Sequence, residues 1–144
     1  HKIKQVLAVF EKELAIVCQL SHPNIMRVYG ACTEQASSLI LVCEYAEKGT
    51  LRQLLDASSK KLQLHEQTRI IKQLVFGLSY LHQQKVAHRD FKSLQVLIDE
   101  RDVCKISDFG LSKSEDLGVN TAVTIAQTEY TPAWSAPEVL NSQG

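Results

Sequence analysis

The sequence predicts an α+β domain, and three observations carry that prediction. Two stretches, 6–20 and 65–84, repeat apolar residues at helical spacing. Two short apolar runs, 25–29 and 39–45, are bounded by turn residues and read as strands. Two further apolar runs, 96–98 and 103–106, flank the turn Asp99-Glu100-Arg101-Asp102 and read as a hairpin. The length of 144 residues suits one domain of ordinary size.

Each element has a local cause. Val6, Phe10, Leu14, Val17 and Leu20 fall on one helical face, with Lys12 and Gln19 on the other. Ser21-His22-Pro23-Asn24 ends that helix, because proline disfavours helical backbone in the residue before it. Gly49 then breaks the chain, and Thr50 with Gln53 forms a capping box for a short helix to about Asp56. From His65 to about Gln84 runs the strongest helix, with Ile70, Ile71, Leu74, Val75, Leu78 and Leu81 on one broad face. Gly77 inside it costs about 1 kcal/mol against alanine, so close packing of a neighbour is expected there. A Ser/Thr-rich stretch of little periodicity follows Gly110. Helices gather after Gly49, which suggests two sub-structures, 1–48 and 49–144.

Composition narrows the function. Apolar residues make up 44% and charged residues 22%, which excludes intrinsic disorder. Sixteen basic against sixteen acidic residues leave no net charge to draw the chain to nucleic acid, and no nucleic-acid binding is expected. No apolar run approaches the length of a membrane span. Cys18, Cys32, Cys43 and Cys104 form no C-x-x-C or zinc spacing, and are expected to be buried free thiols in a reducing, cytoplasmic setting. With only six glycines, none closely grouped, no glycine-rich phosphate loop can be written.

The chemistry lies in three tripeptides in order: His88-Arg89-Asp90, Asp108-Phe109-Gly110 and Ala136-Pro137-Glu138. With a helix before them and a hairpin between, the set resembles the eukaryotic protein kinases, matching the catalytic loop, the metal-binding motif and the end of the activation segment. The phrases Tyr29-Gly30-Ala31-Cys32, Gly49-Thr50-Leu51 and Trp134-Ser135-Ala136-Pro137-Glu138 look most like the tyrosine-kinase-like group. The resemblance implies a bilobal fold, present here in part. Residues 1–43 would be the remnant N-lobe, 44–49 the hinge, and 50–144 a partial C-lobe ending at the activation segment.

It also implies roles and cofactors. Asp90 is expected to be the catalytic base, Lys92 the phosphate contact and Asp108 the Mg²⁺ ligand in ATP-dependent transfer to protein Ser/Thr hydroxyls. Asp90-Phe91-Lys92 points to serine/threonine kinases, and Thr131 matches a threonine that bonds toward the catalytic aspartate. Glu13 matches the glutamate that pairs with the strand lysine; Lys4 is either that lysine or a surface lysine. Cys43 takes the gatekeeper position, Glu44 and Ala46 offer backbone groups to adenine, and Leu97 lies beneath its ring. Val17, Val28, His88 and Phe109 match the apolar stack that aligns the lobes. Arg89 suggests a phosphorylated activation loop, with acceptors among Ser112, Ser114, Thr121, Thr124, Thr128 and Tyr130. The implied setting is signal transduction, with ATP and a protein substrate as partners.

The sequence departs from the family pattern at Gln95, where an asparagine is expected to help bind a second Mg²⁺. The extra methylene moves the amide oxygen by more than about 1 Å, a misplacement that can cost on the order of a hundredfold in rate. Tyr130 also stands where a glycine is usual. The missing glycine-rich loop and the end soon after Glu138 suggest a fragment cut on both sides. The 144-residue chain is therefore expected to show no appreciable kinase activity. Two rival readings are a pseudokinase acting as a nucleotide-binding or scaffold module, and an inactive truncated product.

Overall fold

A computed structural model describes residues 14–32, 40–57, 61–108 and 131–138. In chain order these form helix α1 (residues 14–19), strands β1 (Val28–Cys32) and β2 (Ile40–Cys43), then helices α2 (Leu51–Ala57) and α3 (Leu64–Gln83). Strands β3 (Val96–Ile98) and β4 (Cys104–Ile106) follow, with 3-10 turns at Ser93–Gln95 and Pro132–Trp134. This is the expected α+β class.

Local chemistry sets the helix boundaries. The Thr50 hydroxyl accepts from the Gln53 N–H (3.1 Å), and the Gln53 side-chain oxygen accepts from the Thr50 N–H (2.8 Å), so the predicted capping box opens α2. Gly49 precedes it at φ 75°, a left-handed conformation open to glycine without steric cost. At the start of α3 the Glu66 carboxylate accepts from the Gln63 N–H (2.8 Å), one residue earlier than the expected start.

Two small antiparallel sheets form. β1 pairs with β2, with a register shift between Val28 and Gly30. β3 pairs with β4 in the register Val96↔Ile106, Leu97↔Lys105, Ile98↔Cys104. The second sheet recruits more chain at both edges. On one side Ile98 N–H donates to Gly49 O (2.9 Å) and Lys48 N–H to Ile98 O (3.0 Å). On the other, Met26 N–H donates to Ile106 O (2.8 Å) and Ile106 N–H to Asn24 O (2.9 Å).

That second edge corrects the expected strand at 25–29. Its first half pairs with β4, in a parallel bridge of Ile25 to Ile106, and only Val28 onward belongs to β1. A strand needs a partner along its length, and here two partners divide the run.

The core has two parts. Val17, Leu20, Ile25, Val28, Leu81 and Ile106 anchor one, and Leu51, Ile70, Val96, Ile98 and Cys104 the other. Leu74 and Phe91 pack against both. Asn24 ties the two parts together: buried, it donates its side-chain N–H to Cys104 O (3.0 Å) and to Gln73 Oε1 (3.2 Å). Gln73 Oε1 also accepts from Cys104 N–H (2.6 Å), so the polar atoms inside this seam are paired.

α3 buries a narrower face than its periodicity suggests. Ile70, Gly77 and Leu81 are buried, whereas Ile71 and Val75, expected on the same face, are 59% and 56% exposed. Gly77 meets the expectation of close packing. A Cβ there would lie 2.8 Å from Ile106 Cδ1 and 2.9 Å from Asn24 O, so α3 rests on the sheet at this point.

The thiols are mixed. Cys104 is buried and Cys18 partly so, but Cys43 is exposed, which corrects the expectation of a buried thiol there. No helix among the described residues is long and apolar enough to cross a membrane.

Candidate active site

The site is built on the segment from α3 to β3. After α3 the chain turns at Lys85, in the left-handed region at φ 60°, and Val86 is buried in the first core part. His88 follows, 7% exposed. Its Nε2 lies 2.9 Å from Ser107 O; a carbonyl can only accept, so this nitrogen carries the proton. The ring stands edge-on to Phe91 at 5.5 Å between centroids. Burial holds the imidazole below the ordinary histidine range, against the opposing pull of its hydrogen bonds and of the Asp108 and Asp90 charges. Burial thus favours the neutral imidazole even with both carboxylate charges acting on it.

The turn at Arg89 aims Asp90. The Asp90 N–H donates to His88 O (2.9 Å) across Arg89, whose φ is 67°. A three-residue turn with positive φ is rare and strained, and strain of this kind gathers at functional sites. Buried His88 on one side and partly buried Phe91 on the other hold the turn in place.

Asp90, Lys92 and Thr131 form one cluster. Lys92 Nζ lies 2.5 Å from Asp90 Oδ2 and donates to Thr131 Oγ1 (2.6 Å). The Thr131 hydroxyl in turn donates to Asp90 Oδ1 (3.0 Å). Desolvation raises the Asp90 carboxyl, but hydrogen bonds from Lys92 and Thr131, the Lys92 charge and the facing Gln95 amide outweigh it. The net result is a carboxylate held below its usual range. Thr131 is fixed from its own side, its carbonyl accepting from Trp134 N–H (2.8 Å) and Ser135 Oγ (3.1 Å).

Gln95 and Asp108 stand on the two arms of the β3–β4 hairpin. Gln95 closes the 3-10 turn before β3, its N–H donating to Lys92 O (2.9 Å). Its carbonyl accepts from Ser107 N–H (2.8 Å) and Ser107 Oγ (3.0 Å). Asp108 follows directly, exposed and at φ 61°. An exposed carboxylate is a hard oxygen donor suited to Mg²⁺.

The segment after β2 meets the hairpin from the other side. Glu44 N–H donates to Arg27 O (2.9 Å), which leaves its carbonyl as the group to offer a ligand. Its carboxylate accepts from Arg27 N–H (2.7 Å) and pairs with Lys105 on β4 (2.9 Å). Ala46 and Leu97 both pack against the first core part. Leu97 is only partly buried, between buried Val96 and Ile98, so it turns to the opposite face of the hairpin.

The expected residues therefore divide. Asp90 and Lys92 converge with Thr131; Gln95 and Asp108 flank them through Ser107; Glu44, Ala46 and Leu97 gather where the segment after β2 meets β3. Cys43 closes β2, exposed. Glu13, Lys4, Phe109 and the acceptors at 112–130 lie outside the described residues. Val17, Val28 and His88 are all buried. Sequence reasoning missed Ser107, a common residue type with no local signal, and the Glu44–Lys105 pair, whose members are far apart in the chain.

Comparison with known proteins accounts for the arrangement. A family model described as protein tyrosine and serine/threonine kinase matches residues 1–144. The chain belongs to the protein kinase family. The described elements are accordingly part of a kinase N-lobe and the beginning of the C-lobe. Serine/threonine-protein kinase CTR1 of Arabidopsis thaliana is 38% identical over 138 residues, covering 93% of the chain and 16% of that protein. Dual specificity protein kinase shkA of Dictyostelium discoideum is 36% identical over 142 residues, covering 97% of the chain and 27% of that protein. The tyrosine-protein kinase transforming protein Fps of Avian sarcoma virus is 34% identical over 137 residues, covering 95% and 25%. The resemblance to serine/threonine kinases of the tyrosine-kinase-like group is borne out, while tyrosine and dual-specificity kinases also match. This kinase chain spans 16–27% of the length of these relatives.

Proposed function

We propose that the protein transfers the γ-phosphate of ATP to serine and threonine hydroxyls of protein substrates. The observation that supports this most is the Asp90–Lys92–Thr131 cluster, a base, a cation and an orienting hydroxyl in mutual hydrogen-bond contact. Lys92 two residues after the base is the feature that favours Ser/Thr hydroxyls over tyrosine.

Each residue then has a task. Asp90 orients the substrate hydroxyl and takes its proton as the oxygen bonds to the γ-phosphorus and the bond to the ADP oxygen breaks. Lys92 offsets charge on the transferring phosphoryl group, and Thr131 fixes both partners. Asp108 holds Mg²⁺, which neutralises charge between the phosphates when bound. Backbone groups of Glu44 and Ala46 receive adenine over Leu97, beside Cys43; Glu13 orients a lysine toward the phosphates. Signalling in the cytoplasm is the setting this reading implies.

A pseudokinase reading draws on Gln95, which stands where the family pattern has a metal-binding asparagine. Phosphoamino-acid analysis separates the two readings. Full-length protein incubated with radiolabelled ATP, Mg²⁺ and a mixed protein substrate is expected to label serine and threonine. Labelling confined to tyrosine overturns the specificity, and bound ATP without any label overturns the activity.

A further inference from the structure

We propose that Ser107 is a positioning residue for phosphoryl transfer. Through its hydroxyl it sets where the Asp108 carboxylate stands relative to Asp90, and so where Mg²⁺ is held. The inference rests on the kinase reading above and concerns a residue outside the three tripeptides.

Asp108 is the first residue beyond the β3–β4 ladder. Val96 pairs with Ile106, both wholly buried. On its other edge Ile106 is bonded to Asn24 and Met26, so the end of β4 cannot shift. Ser107 adds one more rung, its N–H donating to Gln95 O (2.8 Å). Asp108 then turns away, exposed, at φ 61°. A non-glycine residue in this region persists where its surroundings hold it.

Ser107 supplies that hold from both sides of Asp90. Its carbonyl accepts from His88 Nε2 (2.9 Å), which lies before Asp90 in the chain. Its N–H and its Oγ (3.0 Å) both donate to Gln95 O, which lies after it. The Gln95 N–H in turn donates to Lys92 O (2.9 Å), and the Lys92 side chain meets Asp90 (2.5 Å). The neighbour of Asp108 is thus tied to both arms of the Asp90 turn.

Two of the three bonds at Ser107 use backbone atoms, which any residue there has. The hydroxyl is the exception. A carbonyl oxygen has two lone pairs; the Ser107 N–H and Oγ occupy both on Gln95, which resists rotation of Ser107 about its own backbone. Mg²⁺ demands near-ideal octahedral geometry, so looseness at Asp108 weakens a metal site even where the fold survives.

The test uses the full-length protein, Ser107→Ala, and Ser107→Thr, which keeps the hydroxyl. Mn²⁺ binding to the complex with a non-hydrolysable ATP analogue is followed by electron paramagnetic resonance. Single-turnover transfer is measured across Mg²⁺ concentrations. Ser107→Ala is expected to bind Mn²⁺ about tenfold more weakly and to need about tenfold more Mg²⁺ for half its maximal rate. Most of that rate should return at saturating Mg²⁺, and Ser107→Thr should behave as the wild type. Ser107→Cys, of similar shape but a weak donor, serves with the same expectation if the alanine variant fails to fold. Unchanged Mn²⁺ affinity in a folded variant overturns the proposal, as does a rate that falls equally at every Mg²⁺ concentration. A threonine variant as weak as the alanine one overturns the role of the hydroxyl. The wild type alone gives a further check: nitrogen-15 NMR without nucleotide or metal is expected to show His88 protonated on Nε2. A proton on Nδ1 alone would release the Ser107 carbonyl and overturn the proposal without any variant. A wild type that binds no ATP analogue overturns the kinase reading and this inference with it. Metal binding by the wild type with no loss in Ser107→Ala overturns the inference alone.

Discussion

Asp90 receives one donor on each carboxylate oxygen, from Thr131 on Oδ1 and Lys92 on Oδ2. Its carboxyl therefore sits below the usual range although desolvation works the other way. A base with a depressed pKa stays ionised as pH falls, so the acid limb of kcat/KM is expected below the ordinary carboxylate range. Lys92→Ala removes a hydrogen bond and a charge, and is expected to move that limb upward and to lower kcat by about a hundredfold. A pH–rate profile of both proteins checks this. His88 has the opposite relation to pH. Its folded pKa is depressed, so the unfolded chain binds the proton first as pH falls. Stability is expected to be fully present above about pH 6.5, the ordinary histidine value, and to decline below it. Urea unfolding across pH 5–8 reads that decline, which should be absent in a folded His88→Phe variant. At this scale the sequence was informative where a residue belongs to a motif, as Asp90, Lys92 and Thr131 do. It was silent on Ser107, whose role comes from reaching Gln95 across the hairpin.

At the level of elements, α3 and the β3–β4 hairpin meet at Gly77. A Cβ there would press on Asn24 O at 2.9 Å, and a backbone atom cannot swing aside. Gly77→Ala gains about 1 kcal/mol in helix propensity but overpacks the contact by an amount typically 1–3 kcal/mol. A net loss of about 1 kcal/mol is expected in chemical denaturation; a gain would mean that the helix does not rest on the sheet. The capping box at Thr50 and Gln53 was legible because its cause is local. The width of the α3 face was not. Periodicity tells which side of a helix is apolar, but the neighbours decide how much of it is covered, and Ile71 and Val75 remain exposed. For the same reason the run at 25–29 could not be divided in advance between β4 and β2.

Across the whole molecule, the order of the three tripeptides carried the family resemblance, which the family model over residues 1–144 bears out. What it could not convey is how the two sub-structures are joined. Residues 24–26 add to the edge of β4, and Glu44 links Arg27 to Lys105. Both joints bring together residues remote in the sequence, and charge or polarity alone does not select a partner. Through them, the segment after β2 is held to the hairpin that follows the Asp90 turn. Phosphoryl transfer through this arrangement is the activity proposed. Its most direct test is the single-turnover rate of transfer from ATP to a protein substrate by the full-length protein and by Asp90→Asn, with ATP affinity measured in parallel. The expected result is a loss of about a hundredfold or more in rate with nucleotide affinity unchanged. Equal rates for the two proteins, or no transfer by the wild type despite bound ATP, would contradict it.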